Sequence, residues 1–429
     1  MFRKALGLAA ALGAMIAPAV AWADDLPTPL TRAAVLARAT ANHPSVLAAR
    51  ARAEATDLDA RGEGKLPSPE LGVDVWQVPL AKPYAIDQAG MFMVSLRQRF
   101  PSLGSLGPRA DAGHAEARAE ALEADDRARE VRRMTAHAYV DYEQAAARAR
   151  THMDHVALAK RIVDVARART AGGAPAFEAA QAEVELAQME ADRASDVVLT
   201  ERTRARLNAL LQRPIDAPLA DPLREDATVP GLELAELERR AAAARPDVKA
   251  SRALEEAAEA RRVAAKRDWL IPSFSVGVLY FPPTGAATEH AYGASLMVEL
   301  PWLWGAGKNR ADGAARAKDA AAYETRGKSV GVETEVAESD AEARTQALRL
   351  RVLEDQVLPA TKRALELAQA GYEASRGDLV SLLVAKRAVV DTELQITMTR
   401  AALDHALVDL EAAVGGEVPR VPLRSARLP

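Results

Sequence analysis

The sequence predicts a mainly α-helical chain with a small membrane β-barrel contribution, built from one duplicated unit of helix, strand, strand, long helix and return helix. Three observations predict it. The 429 residues are rich in Ala, Glu, Arg and Leu and only 4% aromatic. That composition suits long helices packed closely side by side better than a core centred on aromatic rings. A series of short motifs recurs along the chain at an offset of about 200 residues. Short segments in each copy alternate apolar and polar side chains with a period of two, the signature of a strand with one apolar face.

The chain opens Met1-Phe2-Arg3-Lys4, continues as an apolar run from Ala5 to Val20, and reads Ala21-Trp22-Ala23 before Asp24-Asp25. A basic start, a short apolar core and a small-x-small site predict a signal peptide over 1–23. The run is short for a membrane span of about 20 residues. The mature chain is therefore expected to work outside the cytoplasm. There is no Cys, which excludes a lipidated-cysteine anchor and leaves packing rather than disulfides to hold the fold. The net charge is −4, and loss of Arg3 and Lys4 makes it −4 − 2 = −6. That balance argues against a nucleic-acid partner, which calls for a basic surface. After Val20 no apolar stretch reaches the length of a transmembrane helix.

The duplication sets the organisation. His43-Pro44-Ser45-Val46 answers to Arg245-Pro246-Asp247-Val248, and Pro67-Ser68 with Gly72-Val73 answers to Pro272-Ser273 with Gly277-Val278. Phe100-Pro101 answers to Leu300-Pro301, Arg109-Ala110-Asp111 to Arg310-Ala311-Asp312, and Gly173 to Gly377. The expected division is a first repeat over 24–213, a Pro- and Asp-rich linker over 214–230, a second repeat over 231–416 and a tail over 417–429. Helical stretches lead each copy, Ser45 to Arg61 and Asp247 to Lys266. The first copy is expected to hold strands at about 70–78 and 91–100 and helices at about 108–171 and 177–211. The second is expected to hold strands at about 273–281 and 292–300 and helices at about 308–375 and 379–414. Gly172-Gly173 and Gly377 mark the reversals. Leu403, Leu407, Leu410 and Val414, like Leu158, Ile162 and Val165, fall at coiled-coil spacing. Pro359, inside the second long helix, is expected to kink it or break its hydrogen-bond ladder.

Phe92, Val94 and Leu96 share one face of the second strand. Phe274, Val276 and Val278 do so in the third, and Leu296 and Val298 in the fourth. These eight are the candidate lipid-facing positions. Four strands cannot close a barrel, and open strand edges are not tolerated in lipid, where each unpaired backbone group costs several kcal/mol. Membrane barrels need at least about eight strands. Oligomerisation repairs the shortfall, and three chains give a twelve-stranded barrel. The rival is a soluble periplasmic coiled-coil structural or adaptor protein, which shares the helices but needs no lipid-facing strands.

Other chemistry finds little support. His152 and His155 lie three apart on a predicted helix, but no third ligand lies nearby and zinc signatures are absent. The pair reads as part of a solvated helix face, so no metal site is assigned. Met91 and Met93 share a strand face. Gly104-Ser105-Leu106-Gly107 is a turn before a helix, without the Lys and Ser/Thr of a phosphate loop. The many Glu residues read singly, as solvated helix faces. With no Gly-x-Ser-x-Gly and no Cys, no hydrolase nucleophile is apparent. Neither enzyme activity nor a cofactor is expected.

The duplicated layout resembles the TolC family of outer-membrane factors. So does the run Val357-Leu358-Pro359, Ala364-Leu365, Tyr372, Gly377, Leu382-Leu383, Ala385 and Leu394. The junction Leu300-Pro301 through Gly305, Gly307-Lys308 and Arg310 is similar to that family's strand-to-helix junction, and the likeness spans the mature chain. Within the family, Leu303-Trp304-Gly305-Ala306-Gly307-Lys308 is closer to the heavy-metal and cation (CzcC/CusC-like) branch than to the multidrug branch. The resemblance implies a homotrimer, with a twelve-stranded β-barrel in the outer membrane of a Gram-negative bacterium and a long α-helical barrel in the periplasm. It implies a periplasmic adaptor (membrane fusion) protein and an inner-membrane pump of RND type as partners. It places a gate and adaptor-contact tips at Gly172, Gly173, Tyr372, Gly377 and Asp378. Asp378 is then either a charged ring at the gate or an N-cap on the return helix. The first copy departs from the pattern: Ala168 stands where Tyr372 does in the second, and its turn reads Gly172-Gly173-Ala174-Pro175.

Overall fold

The computed structural model describes residues 26–425 apart from 82, 85–88, 284–288 and 375. The expected signal peptide lies outside the described residues. The first repeat contains α1 (Arg32–Asn42), α2 (Pro44–Glu63), β1 (Glu70–Trp76), β2 (Met91–Phe100), α3 (Leu106–Ala171) and α4 (Ala176–Leu210). After β3 (Thr228–Pro230), the second repeat follows as α5 (Leu234–Ala244), α6 (Pro246–Leu270), β4 (Ser273–Phe281), β5 (Ala291–Glu299), α7 (Ala306–Val352), α8 (Leu358–Glu373) and α9 (Leu379–Val414), and β6 (Arg420–Pro422) comes after it.

The repeated X-Pro motifs start α2 and α6. Pro44 and Pro246 occupy the first helical turn, where a missing N–H costs nothing and the fixed φ favours the helix. The residue before each proline does a further job. The His43 ring accepts a hydrogen bond from the Ser45 amide (3.3 Å). Arg245 is buried, pairs with Asp247 (2.8 Å) and Glu335 (2.7 Å), and donates to the Ala413 carbonyl (3.1 Å) near the end of α9. One side chain thus ties α6, α7 and α9 together.

At about 1.5 Å per residue, the 66-residue α3 runs roughly 100 Å. It packs on α2 and α6 near the strands, and on α4 and α9 further along. Many of its inward positions are small: Ala112, Ala115, Ala117, Ala119, Ala124, Ala138 and Ala145 are all buried. A Cβ on Gly113 would stand 3.2 Å from Ala60, so α2 and α3 approach almost backbone to backbone. Leu403, Leu407, Leu410 and Val414 are all buried in the α9 seam.

The second long helix is interrupted. Leu353–Val357 forms a π-turn, in which the Leu358 amide reaches back to the Leu353 carbonyl. Pro359 has no N–H to give, and the wider turn absorbs that missing ladder bond without a sharp corner. Where one helix to 375 was expected, α7, the π-turn and α8 end at Glu373.

Three further features differ from the sequence reading. Helices α1 and α5 precede the predicted ones. β1 ends at Trp76 and β5 covers 291–299. The linker and the tail are not loose: β3 and β6 pair, with Val229 opposite Val421, and Leu30 bridges to Pro222 beside them. The Tyr139 hydroxyl donates to the Leu30 carbonyl (2.9 Å), which pins this belt to the middle of α3.

Candidate functional site

Two regions answer to the predicted sites. The first is a four-stranded antiparallel sheet in the order β1-β2-β4-β5. Its register places Leu71 opposite Leu96 and Val73 opposite Val94; Leu96 faces Val278, and Phe100 faces Phe274. Val276 then faces Leu296, and Phe274 faces Val298. Phe92 stands opposite Val75. All eight candidate lipid-facing positions therefore lie on one face, with only Gln98 breaking the apolar pattern among β2 and its partners. The other face carries Glu70, Asp74, Ser95, Arg97, Arg99, Ser275 and Glu299.

Several large apolar side chains of the first face stand exposed. Leu71 is 74% exposed, Leu296 68% and Val278 59%, whereas Ser95 and Ser275 are buried. The apolar face also has a vertical order. Phe100 and Phe274 stack at the helix end, 5.0 Å apart, and Tyr280 and Tyr292 meet at the far end, 5.4 Å apart. Between them stand Val94, Leu96, Val276, Val278, Ala294 and Leu296. Aliphatic residues flanked by two aromatic tiers form the outer surface pattern of a membrane barrel. Among the described residues, β1 and β5 each have one edge without a strand partner.

The second region is the far end of the helices, where the α3–α4 and α8–α9 turns lie together. Ile162, Val163 and Ala166 of α3, Ala182 of α4, Tyr372 of α8 and Leu379, Leu382 and Leu383 of α9 form one buried cluster. Tyr372 is at its centre, 1% exposed. Its hydroxyl donates to Glu178 Oε2 (3.0 Å) on α4. The Arg169 guanidinium sits 4.1 Å over its ring and donates to its carbonyl (2.9 Å). Burial, with Glu178 second, pushes the Tyr372 phenol up to about 12, so the hydroxyl stays a donor at neutral pH. Glu178 and Arg169 were not singled out by the sequence. The only local hints are an acid in the first turn of α4 and a base in the last turn of α3, each placed to suit the helix dipole.

The glycines shape the two turns. Gly173 has φ +103, a left-handed value suited to residues without a Cβ. At Gly377 a Cβ would lie 3.1 Å from the Gly371 carbonyl carbon and 3.2 Å from the Tyr372 nitrogen, so the close approach of the turn favours glycine there. Asp378 caps α9. Its carboxylate accepts from the Ser381 amide and hydroxyl, both at 2.8 Å, and those bonds hold its pKa below the ordinary value.

His152 and His155 are not on a solvated face. Both are buried and point to different helices: His152 to Asp196 of α4 (2.5 Å) and His155 to Glu393 of α9 (2.8 Å). Among the described residues no group of three His, Cys, Asp or Glu is placed to hold a metal ion. The solvated reading of the acids fails as well at Glu185, which is buried against Lys386 (3.8 Å) and Arg387 (2.8 Å) of α9.

Comparison with known proteins places this architecture. Residues 237–416 match the outer membrane efflux protein family. No curated protein shows significant sequence similarity to the chain. Among solved structures, the outer membrane protein VceC from Vibrio cholerae superposes with a TM-score of 0.75 at 17% identity, over 90% of this chain and 96% of that one. A membrane protein from Pseudomonas aeruginosa gives 0.76 at 20% identity, over 90% and 93%. CusC gives 0.74 at 16% identity, over 90% and 92%. At these identities the likeness establishes the fold.

Fold and matched segment together resemble those of outer-membrane efflux channels. The match to the outer membrane efflux protein family covers residues 237–416, which is 416 − 237 + 1 = 180 of the chain's 429 residues. Members of that family are conduits rather than enzymes.

Proposed function

We propose that three copies of the chain close a twelve-stranded barrel, 3 × 4, which carries cargo passively across the outer membrane. The observation that carries this reading is the inside-out sheet with its two open edges. A soluble periplasmic coiled-coil protein has no use for an apolar face turned outward, whereas in lipid that face is the favourable one and only the edges need partners. Phe92, Val94, Leu96, Phe274, Val276, Val278, Leu296 and Val298 then contact lipid, and the polar face lines the lumen. The protein is expected in the outer-membrane fraction and, after mild detergent extraction and cross-linking, as a trimer. A periplasmic monomer overturns the reading.

The tip is the proposed gate and adaptor-contact surface, with Gly172, Gly173, Tyr372, Gly377 and Asp378 in its turns. The Tyr372 staple, held by Glu178 and Arg169, joins the α8–α9 turn to the α3–α4 turn within one protomer. Opening is an outward relaxation of α8 and α9 that breaks it. A periplasmic adaptor engages the tips and links them to an inner-membrane pump of RND type. The double variant Tyr372→Ala, Asp378→Ala is expected to raise single-channel conductance in planar bilayers. If it assembles as a trimer and conducts like the parent, the constriction lies elsewhere, and Gly172 to Glu178 becomes the place to look. Cargo of the heavy-metal and small-cation class is supported by the junction Leu303 to Lys308. A deletion strain that loses resistance to bulky antibiotics but not to metal cations overturns that assignment.

A further inference from the structure

The turn between β5 and α7, Pro301–Gly305, is not used by the duct or the gate. Trp304 has φ +70, followed by Gly305 at φ +72. For a bulky residue the left-handed region is a strained conformation, retained only where its surroundings impose it. Here they do impose it. Gly307, in the first turn of α7, is buried, and a Cβ there would come within 2.6 Å of the Pro301 carbonyl oxygen and 3.0 Å of the Trp269 ring. The turn is clamped onto α7 and α6 rather than left loose. Yet the side chain held this way makes almost no contact with the chain: Trp304 is 95% exposed, with Trp302 and Leu303 about half exposed beside it.

In water both features are unfavourable, the strained backbone and the bare indole. The corresponding turn of the first repeat spends the left-handed position on Gly104 (φ +78) and exposes Leu103 before it. The second repeat sets an aromatic ring into the strained slot itself. The turn directly continues the apolar face, since Val298 and Leu300 precede it and the stacked Phe100 and Phe274 mark the same end of the sheet. Exposed Lys308 and Arg310 follow within two turns of helix. An indole with wet and dry sides, next to basic residues and at the lower edge of a lipid-facing surface, matches the chemistry of a phospholipid headgroup boundary.

We propose that Trp304, flanked by Trp302 and Leu303, is an interfacial anchor that enters the headgroup region of the inner leaflet and fixes how deep the duct sits. The proposal rests on the lipid-facing reading of the sheet. The test uses full-length protein reconstituted in phosphatidylethanolamine–phosphatidylglycerol vesicles. One variant keeps Trp304 alone, with Trp22, Trp76, Trp269 and Trp302 changed to Phe; a second has the same four changes with Trp304→Phe and Val276→Trp. Lipids brominated near the headgroup are expected to quench Trp304 strongly, and lipids brominated deep in the chain to quench the Val276→Trp probe. If the strand probe is quenched but Trp304 is not, the anchor is overturned and the barrel stands. Acrylamide then tells a water-exposed indole from one covered by a neighbouring protomer. If neither is quenched, both the barrel reading and the anchor fall. Trp304→Gly relieves the backbone strain, so a purely structural role predicts that it is harmless. The anchor predicts that trimers still form but leave the membrane at lower detergent concentration.

Discussion

In the sheet, Leu296 and Val278 stand open while Ser95 and Ser275 are buried; at the helical tip, Tyr372, Leu379 and Leu382 are closed off and the polar groups that steady them sit around the rim. The two regions handle apolar surface in opposite ways. The tip buries its own side chains against one another, so its cohesion belongs to the protomer. The sheet leaves its apolar side chains for another solvent to cover. The difference teaches where each function can reside: a reversible gate needs contacts the chain makes with itself, and a permanent seat needs contacts it cannot make alone.

The largest effect is expected from Tyr372→Ala. Truncation of a fully buried aromatic side chain costs about 3–5 kcal/mol, and here the loss falls on one local cluster. Limited proteolysis should become faster at the tip turns while the trimer persists. Equal protection of the tips in variant and parent would break the contrast drawn above. Next comes Val276→Arg, about 2–4 kcal/mol near the bilayer midplane, read as lower trimer yield in the outer membrane. Ser295→Arg, one position away on the other face of the neighbouring strand, should be much better tolerated; equal loss at both positions would refute the two-faced sheet.

A smaller effect sharpens the comparison from the helical wall between the two regions. Glu143 on α3 faces Asp404 and Arg400 of α9 and Arg224 of the linker, beside a small cleft. Burial first, and the Asp404 charge second, push the Glu143 carboxyl up to about 7 from 4.5. A raised carboxyl favours the protonated fold, so its contribution to stability is fully present below 4.5 and is lost as pH rises through about 7. Glu143→Gln should therefore stabilise the protein at alkaline pH by about 1 kcal/mol, after a discount for partial exposure, and the gain should vanish in acid. Thermal melts across that range check it, and a pH-independent difference would contradict the assignment. Smallest of all is Asp378→Asn, which keeps a capping oxygen and should leave the tip closed. Higher conductance from this change alone would mean that the charge, not the cap, matters at the gate.

The strands and the long helices were legible because each announces its period locally. Val94, Leu96 and Phe100 alternate within one segment, and Leu403, Leu407 and Leu410 repeat within another. What the sequence concealed is pairing between distant segments. The Tyr372–Glu178 bond spans 194 positions; the tyrosine was singled out, but its partner was one Glu among many. His152 and His155 looked like neighbours on a wet surface because the acids that bury them lie on two other helices. β3 and β6, three residues each, are too short to show any alternation. Trp304 carried no signal of strain, since φ is set by the clamp at Gly307 rather than by the residue itself.

The middle seam of the sheet has a consequence for how the molecule is made. β2 pairs on one edge with β1 of its own repeat and on the other with β4 of the second repeat, so that Val94 lies opposite Tyr280. A chain that emerges amino-terminus first presents the β1–β2 hairpin well before its partner strand exists. Such a distant pairing is slow to close, and in the interval the hairpin shows an apolar face and free edges, the features that invite aggregation. The first hairpin therefore stays exposed to wrong partners until the second arrives. Severing the chain at the linker 214–230 would strand each hairpin without its mate, so the two halves must be delivered together for a sheet to form at all.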